Sequence, residues 1–217
     1  MPEVVAGIVA HEARRARANL LHREVSDYFQ TGMFLDDGSL GCDYNHLRAW
    51  ESIAAATDAP WCMVLEDDAA PIRQLGYHLG QALYYSPAPV VSLYLGRGRP
   101  VQWQRRITRA VAAGRPWIVA SHLLHCVAVC VRTELVMGML ARVREAIESP
   151  ARKPIDEAIS EWLLANSLPV AYTNPSLVDH ADLAPVAVHR YHQPQLEPRV
   201  AHQVGVPESW IGQFSIM

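Results

Sequence analysis

Three adjacent carboxylates, Glu66, Asp67 and Asp68, follow directly after the apolar run WCMVL at residues 61–65. Like charges side by side repel each other, so such a triplet needs either solvent or a cation. Mg²⁺ and Mn²⁺ take carboxylate ligands together with substrate phosphates. Beyond an extended strand, residues i and i+2 point the same way, so we expect Glu66 and Asp68 to share a face, with Asp67 turned aside. The triplet predicts a divalent cation beside a diphosphate.

The same acids also have a purely structural interpretation. Acidic side chains favour the N-terminus of a helix, and Pro71 suits the first turn of a helix predicted over residues 71–85. From the triplet alone, both interpretations stay open.

The surrounding sequence alternates between short apolar runs and amphipathic stretches. Strands are predicted at residues 4–10, 61–65, 90–95 and 169–172, with one or two more within 117–131; helices are predicted at 12–29, 43–56, 71–85, 133–148 and 155–165. This order predicts an α/β fold with a mostly parallel central sheet flanked by helices. We expect a single domain over residues 1–217, with an α/β core at 1–173 and an irregular tail at 174–217 that wraps around it. Ligands in such sheets bind beyond the carboxyl ends of the strands.

Composition is that of a globular protein with a real core, since 50% of the 217 residues are apolar and 19% are charged. The net charge of -3 argues neither for nor against a polyanionic partner. The first apolar run is short and precedes its charges, so it does not predict a signal peptide, and no run is long enough to span a membrane. Cys126 and Cys130 lie in an apolar run and are expected to be buried thiols. We therefore expect a soluble, cytoplasmic protein.

Two segments around the triplet resemble glycosyltransferase family 25, which includes lipooligosaccharide and collagen galactosyltransferases. They are GCDYNHLRAWESI at residues 41–53 and CMVLEDDA at 62–69. Members of that family carry a Gly-Cys, a Ser-His pair, a Trp one turn later and an apolar strand that ends in Glu-Asp-Asp. Asn45 stands here where the family usually has Ser. The later segments VVSLYL, KPIDEAISEWLL and NPSLVDH match more weakly, and residues 97–120 match nothing in the family.

The resemblance implies a GT-A-type fold and inverting transfer of a sugar from a nucleotide diphosphate sugar, usually UDP-linked, to a hydroxyl. By that analogy Asp68 binds Mn²⁺ or Mg²⁺, and Glu66 faces the ribose or the donor sugar. The donor side would also include Asp67, the strand end Ala10-His11 near the base, and Arg14 near a phosphate. This sequence departs from the family's usual start in that region, GIVAHEARRAR standing in place of an Asn-Leu-Asp-like run.

Two further roles follow from the resemblance. An inverting enzyme needs a general base for the acceptor proton, and Asp156 is the candidate, with Glu157 as the second choice; an acid at a helix start is the structural alternative. GT-A enzymes often add a late histidine to the metal, which indicates His180 first and His189 second. A structural histidine is the alternative there.

An arginine-rich stretch covers residues 96–116, which contain six arginines and no acid. A solvated face is one interpretation, and a docking surface for a polyanion is the other, because arginine binds phosphates and aromatic rings stack on bases. The acceptor-binding candidates are Arg97, Arg105, Arg106 and Trp103.

Several acceptors and activities stay open. Some phages glycosylate hydroxymethylated bases of their own DNA with GT-A enzymes, so such a base, flipped out of its duplex, is slightly favoured as the acceptor, and the protein would then act in the host cytoplasm. A lipooligosaccharide-like or protein-linked glycan is the alternative acceptor. Two rivals from other classes are a nucleic-acid-binding module without enzymatic activity and a metal-dependent nucleotidyltransferase or nuclease.

Overall fold

The computed structural model describes residues 2–184, 186 and 198–217 of the chain. Within them the chain forms one mixed α/β domain with a large central sheet flanked by helices, which confirms the predicted fold class and is consistent with a GT-A-like architecture. The strands are β1 Val4–His11, β2 Gln30–Asp36, β3 Trp61–Glu66, β4 Ala69–Pro71, β5 Val90–Ser92, β6 Trp117–Ala120, β7 Ala128–Arg132, β8 Val170–Thr173, β9 Val178–His180 and β10 Phe214–Ile216. The helices are α1 Arg15–Ser26, α2 Cys42–Ala55, α3 Leu75–Tyr85, α4 Val101–Ala112, α5 Thr133–Glu148 and α6 Ile155–Ala165.

The main sheet of the described chain has eight strands in the order β10-β6-β8-β5-β7-β3-β1-β2. Strand β1 is parallel to both β2 and β3, β5 is parallel to β8, and β6 is parallel to β10. Strand β7 is antiparallel to β3 and β5, and β6 is antiparallel to β8. A small second sheet pairs β4 with β9. The parallel trio brings three carboxyl ends to one edge of the sheet, where the acidic triplet begins.

Both faces of the sheet are buried, which is why β3 is apolar along almost its whole length. Cys62 and Val64 belong to the core that contains residues of α2, α4, α5 and α6. Trp61, Met63 and Leu65 belong to the opposite core, with residues of α1 and α3. This alternation means that Glu66, the last residue of β3, continues the face that points toward α2.

The strand predicted at residues 90–95 ends already at Ser92, and the helix predicted at 12–29 is shorter, Arg15–Ser26. Larger differences between the predicted elements and the structure occur at three places. Strand β2 occupies residues for which no element is predicted, and α4 forms inside the arginine-rich stretch, where Ile107, Ala110 and Val111 make its buried face. The helix predicted from residue 71 begins only at Leu75, because Pro71 pairs with Val178 between β4 and β9.

The described part of the C-terminal tail is largely irregular, as expected, and it adds two short strands. Strand β9 joins the small sheet, and β10 extends the edge of the main sheet beside β6. Leu177, Ala201 and Trp210 are buried against the core. The division of the domain at residue 173 stays a prediction.

The four cysteines are free thiols, and Cys126 and Cys130 are buried as expected. Cys42 is the exposed one. None of the helices in the described residues has both the length and the apolar character that crossing a bilayer requires.

Candidate active site

A cavity of about 450 Å³ opens at the carboxyl ends of β1 and β3. The end of β1, the acidic triplet, the first turns of α2 and Arg199 of the C-terminal segment contribute to its walls. Pockets of roughly 300–1,000 Å³ hold small ligands and cofactors. The cavity is lined by all the residues predicted for the donor and by one of those predicted for the metal: Ala10, His11, Arg14, Glu66, Asp67 and Asp68.

Arg14 lies between the two aspartates of the triplet. Its Nη1 donates to Asp67 Oδ1 at 2.7 Å and to Asp68 Oδ2 at 2.8 Å, while its Nη2 donates to the Ala184 carbonyl at 2.6 Å. The side chains of Arg14, Asp67 and Asp68 are 12%, 7% and 8% exposed, so these charges are largely desolvated. The guanidinium of Arg14 therefore neutralises part of the negative charge of the triplet.

His11 fixes the turn that carries Arg14. Its Nδ1 accepts a hydrogen bond from the Ala13 N–H at 3.1 Å, which caps the short 3₁₀ helix Glu12–Arg14. The backbone N–H of His11 donates to Asp67 Oδ2 at 3.0 Å. One residue thus orients both the arginine and one carboxylate that the arginine binds.

The triplet does not alternate as predicted. Strand β3 ends at Glu66, and Asp67 and Asp68 lie in the turn before β4, where both contact Arg14. The prediction that Asp67 is turned aside is therefore wrong, because the extended geometry stops at Glu66 and all three acids line the same cavity. The interpretation of the triplet as first-turn acids of a helix at Pro71 is also wrong, since α3 begins at Leu75.

Asp68 keeps one buried oxygen without a partner. Its Oδ1 accepts no hydrogen bond from any described residue. Burial raises the pKa of Asp68, and the charge of Glu66 raises it further. Added positive charge at this oxygen would stabilise the ionised carboxylate, and Mn²⁺ and Mg²⁺ take oxygen ligands of this kind. The residues therefore fit a divalent cation held by Asp68.

His180 lies against Asp68 because β9 pairs with β4, with His180 opposite Ala69. Its Nε2 is 3.4 Å from Asp68 Oδ2, and its Nδ1 accepts a hydrogen bond from the Asp182 N–H at 2.8 Å. Burial lowers the pKa of His180, which favours the neutral ring. A neutral ring that accepts at Nδ1 carries its proton on Nε2, facing the carboxylate. Metal binding through Nε2 would require that proton to move to Nδ1 and the Asp182 contact to break.

His180 as a metal ligand therefore stays a prediction that implies a local rearrangement. His189, the second choice, lies outside the described residues.

Glu66 pairs with His46 of α2, a histidine that the sequence analysis did not select. His46 Nε2 lies 3.3 Å from Glu66 Oε1, and the histidine is fully buried. Burial lowers the pKa of His46, but its contacts with Cys42 and Glu66 outweigh burial and raise the pKa to about 10. Burial raises the pKa of Glu66, and the bond with His46 lowers it overall. The contact with His46 holds the Glu66 carboxylate on the α2 side.

Asp156 stands at the start of α6, beside the start of α2. The Ile155 N–H donates to Asp43 Oδ1 at 3.2 Å, which joins the two helix starts. Burial raises the pKa of Asp156 to about 6, and the charge of Glu66 contributes in the same direction. Glu157 is exposed. Neither acid lines the cavity itself, so Asp156 is near the site while its role as a base stays a prediction.

The predicted acceptor residues lie outside the cavity lining, on α4 and the loop before it. Arg97, Arg105 and Arg106 are exposed. Trp103 is half-buried, with the Arg106 guanidinium 5.3 Å from its ring centroid and the His122 ring at 5.1 Å.

Three packed aromatic rings lie between the start of the arginine-rich stretch and the triplet. Tyr94 packs against His125 at 5.2 Å and His180 at 6.1 Å between ring centroids. Burial lowers the pKa of His125 to about 4, so this ring is neutral at physiological pH. Gly96 lies two residues after Tyr94, and a Cβ there would lie 2.6 Å from the Tyr94 hydroxyl. The arginine-rich stretch thus starts next to the residues that contact His180.

Arg199 is a functional candidate that sequence reasoning missed. It lines the cavity and donates from Nη2 to the Leu183 carbonyl at 2.6 Å. An isolated arginine in a Pro-rich segment gives no local signal of this position. The sequence does carry a signal for Cys42 and His46, because residues four apart on a helix lie on the same face.

No protein-family model and no curated protein matches the chain in sequence. Among solved structures, A197 from STIV is similar at 12% identity, over 88% of this chain and 100% of that chain, with a TM-score of 0.47. A glycosyltransferase involved in the glycosylation of the major capsid of PBCV-1 is similar at 10% identity, over 79% of this chain and 82% of that chain, with a TM-score of 0.45. The resemblance to family 25 stays a prediction.

Proposed function

We propose that this protein is a metal-dependent inverting glycosyltransferase that moves a hexose from a UDP-sugar to an acceptor hydroxyl. The observation that carries the proposal is the buried Asp68 Oδ1, which has no hydrogen-bond partner among the described residues, in a cavity where two arginines accompany four carboxylates. Such a mixture suits a ligand that brings both a cation and a diphosphate.

On the donor side, Arg14 and Arg199 supply positive charge for the diphosphate, and His11 and Ala10 lie where the base would enter. Glu66 accepts from hydroxyls of the ribose or the sugar, with its carboxylate oriented by His46. When bound at Asp68, Mn²⁺ or Mg²⁺ would neutralise charge that develops on the departing diphosphate.

Asp156 is the proposed base, which leads to a pH prediction. A base must be ionised to accept the acceptor proton, and burial raises the pKa of Asp156 to about 6. We therefore expect kcat/KM for transfer to rise with pH through about 6 and to level off above that value. Asp156→Asn should lower kcat about 10²–10⁴-fold and abolish this pH limb, as measured by UDP release from pH 5 to 8.

Glu157→Gln separates the two candidate acids in the same assay. If Glu157→Gln removes the limb and Asp156→Asn keeps it, the exposed neighbour is the base and this assignment fails.

For the acceptor we propose a hydroxymethylated base in DNA. The exposed arginines of α4 and its preceding loop support this choice, because a phosphate backbone needs that charge whereas a neutral glycan does not. The stretch also starts beside Tyr94 and His125, next to the triplet. A glycan acceptor is the alternative, and only a phosphorylated glycan would use the arginines.

The acceptor experiment uses the double variant Arg105→Gln/Arg106→Gln. If both arginines contact phosphates, the slope of log affinity against log salt should fall by about 2, roughly 1 per contact, in titrations with duplex DNA. UDP release from UDP-hexose panels should require hydroxymethylated DNA and slow in the variant.

Arg142→Gln/Arg144→Gln is the matched control, because it removes the same charge from exposed positions of α5. Equal slopes for both double variants would contradict DNA docking on α4. DNA binding without any UDP release would favour the non-enzymatic binding module, and cleavage or nucleotide transfer would favour the nuclease or nucleotidyltransferase.

A further inference from the structure

Cys42, His46 and Glu66 form a second cluster of potential ligands, separate from the pair of aspartates on Arg14. One ligand atom from each residue lies within 4.8 Å of the others: the Cys42 Sγ, a ring nitrogen of His46 and a Glu66 carboxylate oxygen. Among the described residues this is the one set of three such side chains close enough to share an ion.

The fold builds this cluster from two rigid elements. Cys42 and His46 stand one turn apart at the start of α2, so both side chains lie on one helix face. Glu66 comes from the last position of β3, whose even-numbered residues point toward α2. Helix and strand pack directly through Leu47, Trp50 and Val64 in one core, which fixes the three ligands relative to each other.

One of the three ligand separations matches that of a tetrahedral zinc site. Zinc bonds of about 2.0–2.3 Å to nitrogen, oxygen and sulfur imply ligand separations of roughly 3.3–3.7 Å. The observed distance of 3.3 Å between His46 Nε2 and Glu66 Oε1 is at this value, and 4.8 Å bounds the remaining distances. His46 Nδ1 is buried and has no hydrogen-bond partner among the described residues.

The ligand types select a different ion from that expected at Asp68. Thiolate and imidazole favour Zn²⁺ over Mg²⁺ and Mn²⁺, which prefer oxygen. Cys42 is exposed and lines the cavity, so the side of the cluster that faces the cavity stays open. Three protein ligands with one open position is the pattern of zinc sites that accept an exogenous ligand.

We propose that Cys42, His46 and Glu66 bind one Zn²⁺ with a coordination position open to the cavity. Binding releases the Cys42 thiol proton and the proton shared between His46 and Glu66, so affinity increases with pH. Because Glu66 is also proposed to face the donor, an occupied zinc site would compete with the donor for this carboxylate.

The test is Co²⁺ binding to the full chain, kept reduced and free of nucleotide, followed by absorption. In the wild-type protein a thiolate-to-cobalt charge-transfer band should appear and saturate at one Co²⁺ per chain, and one equivalent of Zn²⁺ should remove it. Cys42→Ser, at an exposed position that the core does not need, should remove the band. It should also weaken Zn²⁺ binding more than about 100-fold, beyond the 10–100-fold cost of losing an outer partner.

Asp68→Asn is the matched control, since it alters the neighbouring acidic site and leaves all three proposed ligands in place. The band should persist in this variant. No band in wild type, or a band lost in Asp68→Asn and retained in Cys42→Ser, would overturn the proposal. Because no nucleotide or sugar is present, either result is independent of the proposed transferase activity.

Discussion

Asp68→Asn should reduce metal-dependent UDP release from a UDP-hexose by at least about 100-fold while the protein stays folded. The substitution removes the charge of the carboxylate whose buried Oδ1 has no hydrogen-bond partner among the described residues, and which we propose binds the metal. A catalytic metal contributes several kcal/mol, and about 1.4 kcal/mol corresponds to a tenfold change in rate. Folding should survive because Asn is neutral and nearly isosteric, and because Asp67 still pairs with Arg14.

Asp58→Asn makes the same chemical change at an exposed position and serves as the control. Initial rates should be measured for both variants over a Mn²⁺ titration. An Asp68→Asn enzyme with wild-type rates at saturating Mn²⁺ would show that the metal, if any, is bound elsewhere.

Arg14→Gln should destabilise the metal-free protein by about 3–5 kcal/mol, the usual cost of removing one partner from a buried ion pair. Two aspartates would remain with side chains 7% and 8% exposed, and neither forms an ion pair with another arginine of the described residues. At roughly 2–4 °C per kcal/mol for a chain of this size, the melting temperature should fall by about 6–20 °C. Mn²⁺ should recover much of this loss, because it supplies the missing positive charge.

The loss should also depend on pH. Burial raises the pKa of Asp68 above its unfolded value, and removal of Arg14 raises it further. A carboxyl that binds its proton more tightly in the folded state favours folding at low pH and loses that contribution as pH rises through the folded pKa. The difference between Arg14→Gln and wild type should therefore shrink toward acidic pH.

Arg15→Gln is the neighbouring control, since the ion pair of Arg15 with Glu12 is exposed to solvent and its loss should leave the melting temperature nearly unchanged. Equal effects of the two substitutions would mean that the Arg14 contacts with Asp67 and Asp68 do not stabilise the fold.

The apolar periodicity of the sequence correctly predicted the helices and strands that have at least one fully buried face. Helices α5 and α6 begin and end where the periodicity indicates, and β3 coincides with the apolar run before the triplet. Strand β2 was missed because it lies at the edge of the sheet and most of its residues are only partly buried, so it lacks a continuous apolar run. Helix α4 was not predicted because it is rich in arginine and only three of its residues are buried.

The carboxylates of the candidate site could be predicted from the sequence. The side chains that contact these carboxylates could not. Arg14 and Asp67 are 53 residues apart in sequence and meet only because β1 and β3 are neighbours. His46 faces Glu66 for a similar reason, across 20 residues. Such contacts depend on strand order and register, and no local spacing of residues encodes them. The i, i+2 argument failed for Asp67 because β3 ends at Glu66, and the position where a strand ends depends on the pairing with its neighbours.

The most direct test of the donor site is thermal melting of the wild-type protein with UDP and Mn²⁺, repeated with a chelator and with other nucleotides. Ligand at 100 times its dissociation constant stabilises the folded state by about 2.7 kcal/mol, which corresponds to several degrees at roughly 2–4 °C per kcal/mol. We predict a shift of that size with UDP that the chelator removes and that other nucleotides do not reproduce. The absence of any shift at saturating UDP and Mn²⁺ would contradict the proposed glycosyltransferase and leave nucleic-acid binding through α4 as the leading hypothesis.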